Sequence, residues 1–181
     1  YNDLLEIIHE SSLDKDSTRD KLIIEMLYAT GVRVSELINI KLSDIDFDNK
    51  RIVVCGKGNK ERIVYYGDYA SEALYEYLET HPKRNHNYLF MNSRGGKITD
   101  RGIRYIIDNI MKRLSVKTHV TPHVLRHTFA TDMLNNGCDI RVVQELLGHA
   151  SLRTTEIYTH VTNEQLKKVY YSCFPRRDKD E

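Results

Sequence analysis

The chain has 181 residues, 27 Lys and Arg against 26 Asp and Glu, and a formal net charge of +1. That length fits one domain with a proper core or two small ones, and 40% hydrophobic with 29% charged residues excludes a disordered or fibrous protein. No apolar run approaches the roughly 18 residues of a membrane-spanning helix, and near-neutrality argues against a polycation that grips nucleic acid through bulk charge.

Leu4, Leu5, Ile7 and Ile8 predict a short first helix. Ser17 or Thr18 can cap a second, whose Leu22, Ile23, Met26 and Leu27 recur at helical spacing until Gly31 stops it. A third is expected over Val34–Leu42. The pattern then changes. Arg51–Cys55 and Glu61–Tyr65 are rich in β-branched residues and are separated by Gly56-Lys57-Gly58-Asn59-Lys60, which reads as a hairpin with a five-residue loop. Helices resume over about Tyr69–Glu79 and, after a loop at Ser93–Gly96, over Thr99–Leu114. Thr121-Pro122 caps and starts another that Gly137 closes, Asp139 opens one that stops at Gly148, Ser151 can cap a short one, and Thr162–Tyr171 makes the last.

The fold class is therefore α+β and mainly helical, with a small antiparallel hairpin inserted after the third helix. No repeat, low-complexity tract or linker interrupts it, so residues 1–181 are expected to form one domain, with 171–181 as a tail that is charged and mobile from Arg176. The opening Tyr1-Asn2-Asp3, with neither Met nor a signal-like segment, leads us to expect the C-terminal part of a longer protein. Charge is unevenly spread: residues 1–50 hold 6 basic and 11 acidic groups, residues 51–117 hold 13 and 7, and residues 118–181 hold 8 of each. A middle segment of net +6 can face a polyanion while the acidic N-terminal third points elsewhere. Cys55, Cys138 and Cys173 are odd in number and form no CxxC, which fits a reducing cytosolic setting.

Metal sites are easiest to reject. Asp44-Ile45-Asp46-Phe47-Asp48 begins like a calcium loop, but the sixth position is Asn49 and the twelfth is Cys55, so it reads as a solvated turn. His123 and His127 have the i, i+4 spacing of a zinc helix, yet Val124, Leu125 and Arg126 stand between them where a glutamate is required. There is no Walker loop and no GxSxG. A set of cations remains. His123 and Arg126 share a face near a helix N-terminus, which favours anions. Arg33 stands at a helix start, Lys57 in a hairpin turn, and His149 just after a helix stop, with Tyr158 nine residues further on.

Five separated segments together resemble a known family. They are Ala29-Thr30-Gly31-Val32-Arg33-Val34-Ser35-Glu36-Leu37, the Gly56–Arg62 turn, Thr121–Ala130, Leu146-Leu147-Gly148-His149-Ala150-Ser151, and Ile157-Tyr158-Thr159-His160-Val161. In order and content they are similar to the catalytic domain of the tyrosine recombinases and integrases, nearest the bacterial Xer recombinases. The resemblance places the family's catalytic set on Arg33, Lys57, His123, Arg126, His149 and Tyr158. It implies a metal-free, cofactor-free enzyme that cleaves and rejoins DNA through a 3′-phosphotyrosyl intermediate, with Xer-type chromosome-dimer resolution as its role. A phage or transposon integrase is the alternative within the family, and a catalytically inactive DNA-binding module the alternative outside it.

Physical chemistry agrees with that distribution of roles. Attack on a phosphodiester builds negative charge on the non-bridging oxygens, which the guanidiniums of Arg33 and Arg126 can clamp. A tyrosine hydroxyl ionises near pH ~10, so Tyr158 needs a base, here His123, while Lys57 can protonate the departing 5′-oxygen and His149 can bond a phosphate oxygen. Glu36, three residues after Arg33, can orient the arginine or a histidine. Lys60, Arg62, Arg94, Lys97, Arg101 and Arg104 are candidate contacts to the duplex backbone. The resemblance further implies a double-stranded recombination site as partner, a homo- or hetero-tetramer on two duplexes with the Phe174-Pro175-Arg176-Arg177 tail against a neighbouring protomer, no membrane, and a cytoplasmic, nucleoid-associated location. Family members usually carry an N-terminal DNA-clamping domain as well, and the second hairpin strand reads Ile63-Val64-Tyr65-Tyr66-Gly67 where the family commonly has a proline.

Overall fold

The structure, a computed structural model, describes residues 17–115, 117, 119–148 and 162–178. The first helix expected around Leu4–Ile8, the Ser151 cap, His149 and Tyr158 lie outside the described residues. Ser17–Thr30 forms α1 and Val34–Ile38 forms α2. The strands β1 (Ile45–Asp46), β2 (Arg51–Cys55) and β3 (Glu61–Tyr65) make one antiparallel sheet in that order. Helices α3 (Asp68–Thr80), α4 (Asp100–Arg113), α5 (Pro122–Asn135), α6 (Ile140–Leu147) and α7 (Asn163–Cys173) follow.

The central element is α1. Leu22, Ile23, Ile24, Met26, Leu27, Tyr28 and Ala29 are all buried, so the helix is covered on every side, and α3, α4 and α5 pack around it. The caps expected at Thr121 and Asp139 are in place, and Thr99, expected as a helical residue, caps α4. Thr99 Oγ1 accepts from Gly102 N–H at 3.0 Å, Thr121 Oγ1 from Val124 N–H at 3.1 Å, and Asp139 Oδ1 from Arg141 N–H at 2.8 Å. Gly148 ends α6 with φ +72°, a left-handed value that a side chain would make costly.

Three expectations are corrected. Helix α2 ends at Ile38, not Leu42, because the chain leaves the helix to pair with a distant segment. Ile40 C=O accepts from Leu89 N–H and Leu42 N–H donates to Asn87 C=O, both at 2.8 Å. The second concerns Asp44–Asp48, expected as a solvated turn. Phe47 and Asp48 do stand in a turn, but Ile45–Asp46 form β1, with Ile45 opposite Ile52 and Asp46 opposite Arg51, because Ile45 gains burial and Arg51 Nε lies 3.2 Å from Asp46 Oδ2.

The third correction is the tail, which is seated through Arg177. Phe174 is buried, its ring centroid 5.0 Å from Tyr170 and 5.4 Å from Tyr28. Arg176 Nη2 donates to Glu25 Oε1 at 2.5 Å, inside the molecule on the central helix. Asp68 N–H donates to Arg177 C=O at 2.7 Å. A run of charged residues looked solvated because its counter-ion, Glu25, is some 150 residues earlier in the chain.

Candidate active site

The site begins at the turn between α1 and α2. Gly31 has φ +66°, and a Cβ there would stand 2.5 Å from Phe129 Cδ1 and 2.7 Å from Leu147 Cδ2, so only glycine lets this turn close onto α5 and α6. Two residues later Arg33 caps α2, its N–H donating to Glu36 Oε1 at 2.9 Å. Its side chain remains 46% exposed with Nη1 3.8 Å from the same oxygen, a loose tether that leaves the guanidinium open to solvent.

Arg126 comes to this turn from α5. It is buried, and its guanidinium donates to Gly31 C=O at 2.5 Å through Nη1 and to Leu147 C=O at 3.0 Å through Nη2. One carbonyl from the turn after α1 and one from the last residue of α6 thus hold the fork. Burial, then the neighbouring charges of Arg33 and Arg62, draw its pKa down to about 10, with Glu36 opposing the fall. His123, one turn earlier on α5, is exposed.

Lys57 follows from the hairpin. The turn Lys57–Asn59 uses positive φ at Gly58 (+76°) and Asn59 (+57°), and Gly56 N–H closes it on Lys60 C=O at 2.9 Å. Lys57 and Lys60 are exposed on a cleft of about 630 Å³ that Arg33, Glu36, Arg62 and Gly148 also line. Arg33 and Lys57 are therefore brought to one cleft, with Arg126 packed beside the Arg33 turn. A cleft of similar size, about 640 Å³, lies between α1 and α4 but holds none of the six residues. Among the described residues, no three His, Cys, Asp or Glu side chains converge as metal ligands.

Residues 1–165 match the Phage integrase family. The chain belongs to that family, whose members are tyrosine recombinases. It is 53% identical over 171 residues to the tyrosine recombinase XerC of Staphylococcus epidermidis, covering 93% of this chain and 58% of that protein. Against XerC of Staphylococcus aureus the identity is 50% over 177 residues, covering 94% and 59%. The chain thus spans a little under three fifths of the length of these relatives. Among solved structures, the XerA recombinase superposes with a TM-score of 0.77 at 40% identity, over 97% of this chain and 64% of that one. The XerH site-specific recombinase bound to its difH substrate, a pre-cleavage complex, gives a TM-score of 0.72 at 28% identity over 91% of this chain and 50% of that one.

A tyrosine recombinase needs one ionisable tyrosine among the twelve present. Burial raises the pKa of Tyr65, Tyr66, Tyr77 and Tyr170, and pushes Tyr171 up to about 12. Three of these hydroxyls bond backbone inside the fold: Tyr170 donates to Ala29 C=O at 2.7 Å, Tyr171 to Tyr66 C=O at 2.8 Å, and Tyr65 to Asn163 C=O at 2.9 Å. Each is held neutral and directed inward, the opposite of what a nucleophile requires.

The candidate backbone contacts fall into two groups. Lys60, Arg94 and Arg101 are exposed. Arg104 Nε is 2.6 Å from Asp100 Oδ1, one helical turn away. Lys97 Nζ donates to Asn39 Oδ1 at 2.5 Å and lies 4.4 Å from the centroid of the Tyr88 ring, with Lys41 Nζ at 6.0 Å. Asn39 lines the cleft, so Lys97 and Lys41 extend its positive surface away from Arg33. The sequence reading did not single out Asn39, Lys41 or Tyr88. A bridge between Lys41 and Tyr88 joins these segments, and no spacing rule reports it. Arg62 does not face solvent: with 14% of its side chain exposed, it binds both oxygens of Glu36.

Proposed function

We propose that the protein is a site-specific DNA recombinase of the Xer type. Tyr158 Oη attacks the scissile phosphorus and its proton passes to His123. The 5′-oxygen leaves, taking a proton from Lys57, and the strand stays on the protein as a 3′-phosphotyrosine with a free 5′-hydroxyl. A second 5′-hydroxyl reverses the step, so strands are exchanged without hydrolysis or an external energy source. Arg33 and Arg126 hold the non-bridging oxygens through attack and departure, and His149 adds a hydrogen bond to them.

The observation that carries this reading is the convergence of Arg33 and Lys57 on one cleft, with Arg126 of α5 packed against the turn that presents Arg33. A pure DNA-binding module has no need of Tyr158 in addition to such a set. Strong relatives named XerC favour the Xer role over a phage or transposon integrase.

Lys60, Arg94, Lys97, Arg101 and Arg104 would follow the phosphate backbone outward from the cleft. Four protomers on two duplexes make up the working assembly, in the cytoplasm on nucleoid DNA. Tail contact with a neighbouring protomer would require Phe174 and Arg176 to leave the seats described above.

The test is a selection. Nicked duplexes randomised over about 30 base pairs, a length that spans two half-sites of one helical turn or more, are incubated with the protein. Adducts that survive detergent are then recovered. The expected product is a 3′-linked adduct that disappears in Tyr158→Phe. An adduct that persists in that variant, or none from the wild type, removes the catalytic assignment.

A further inference from the structure

Lys57 makes no hydrogen bond to any described residue, so among these it is the backbone of its turn that aims the ammonium. The floor under that turn is an ion pair. A Cβ built on Gly56, the residue before Lys57, would stand 3.3 Å from Glu36 Oε2 and 4.0 Å from Arg62 Nη1, so the Gly56 backbone rests directly on the Glu36–Arg62 pair. Arg62 is gripped at a third point as well, its Nε donating to Leu146 C=O at 3.1 Å. Gly148 packs on its stem, where a Cβ would lie 2.9 Å from Arg62 Cδ. One guanidinium therefore ties together β3, the start of α2 and the end of α6.

We infer that Arg62 is a positioning residue for Lys57: it fixes the height and tilt of the hairpin turn over the cleft so that the lysine meets the departing 5′-oxygen. This rests on the reading of Lys57 as proton donor, and it replaces a direct contact of Arg62 with DNA. The geometry favours it on two grounds. Three of its five N–H groups are engaged inside the protein and only 14% of the side chain is exposed, so it is held as a strut within the fold. Arg62 also stands opposite Val54 in the hairpin register, close enough to the turn that a shift at Arg62 moves Gly56 and Lys57 with it. A lysine at position 62 would keep the charge but could not span two carboxylate oxygens and a carbonyl at once.

The variant is Arg62→Lys, with two readouts. The first needs no DNA: hydrogen exchange at the Gly56 amide, bonded to Lys60 C=O in the wild type, is expected to quicken by about tenfold or more while amides of α1 keep their protection. The second is single-turnover cleavage of a nicked duplex recovered by the selection above, with either oxygen or sulfur bridging to the 5′-carbon. A thiolate leaves without a proton, so a defect confined to Lys57 vanishes on the sulfur substrate. On oxygen, Arg62→Lys is expected to cleave about 10- to 100-fold more slowly, a part of what a general acid contributes, and on sulfur within about threefold of the wild type. Equal losses on both substrates, no loss on either, or unchanged exchange at Gly56 would each overturn the proposal. Failure of the recombinase reading shows separately, as a wild type that forms no adduct with either substrate, and the proposal falls with it.

Discussion

Replacing Glu36 by glutamine tests whether the site is held together by charge. Glutamine keeps the shape and the acceptor for Arg33 N–H but removes the carboxylate among Arg33, Arg62 and Arg126. The contributions differ by partner. Arg33 is 46% exposed and 3.8 Å away, so its pairing contributes at most about 1 kcal/mol. Glu36 is 2% exposed and Arg62 14%, and stripping one member of a buried, bidentate pair costs about 3–5 kcal/mol. The buried pair decides the outcome. For a chain of this size each kcal/mol shifts the melting midpoint by about 2–4 °C, so Glu36→Gln is expected to melt roughly 10 °C lower. Urea unfolding of Glu36→Gln, Arg62→Gln and the double variant supplies the cycle, with an expected coupling of about 2 kcal/mol or more. Added sulfate should stabilise Glu36→Gln more than the wild type, because an anion can take the place of the missing charge. A loss below about 1 kcal/mol, or single-variant losses that simply add, would refute the account.

Other outcomes follow from the same geometry. Gly31→Ala forces a Cβ to 2.5 Å from Phe129 at φ +66°, whereas Gly58→Ala meets nothing within 4 Å at φ +76°. Denaturant unfolding should therefore show about 3 kcal/mol lost at position 31 and about 1 at position 58. Phe174→Ala is expected to cost about 3–5 kcal/mol in calorimetry, while a tail without fixed packing would cost nothing. The raised phenols add a pH dependence. A neutral acid with a raised folded pKa stabilises the fold fully below its unfolded value near ~10, and that contribution is lost as pH rises from there through the folded value. For Tyr171, pushed up to about 12, this is the interval from about 10 to 12, and Tyr65, Tyr66, Tyr77 and Tyr170 act in the same direction. Absorbance at the tyrosinate band should show these groups ionising only as helical circular dichroism collapses; independent titration of all twelve before unfolding is the contrary result. Lys97→Ala should lower the salt slope of binding to a duplex of arbitrary sequence by about 1, and an unchanged slope would remove it from the phosphate track.

Local chemistry made much of this protein legible in one dimension. Helix limits marked by Thr99, Thr121, Asp139, Gly137 and Gly148 were readable because a cap acts on backbone groups two or three residues away. Both hairpin strands were readable from their β-branched residues and the glycine-flanked turn. The family was readable because five short segments keep their order, and that order is what placed Arg33, Lys57, His123 and Arg126 among the candidates. The near-neutral total charge was the least informative quantity. It averaged a net −5 segment with a net +6 one and said nothing of a local crowd of three guanidiniums around one carboxylate.

What only the tertiary structure decided were the pairings across long stretches of chain. Arg62 read as a surface cation, yet the fold turns it onto Glu36, 26 residues earlier, and onto Leu146, 84 residues later. Arg176 read as tail and is bound to Glu25. Ile45 read as turn and became a strand once Ile52 lay opposite. In each case the free energy comes from burial and a partner brought up by packing, and neither is a property of the residue or its neighbours in sequence. The sequence determined which groups could do the chemistry; the fold determined which of the cations stay open to a ligand and which hold the others in place.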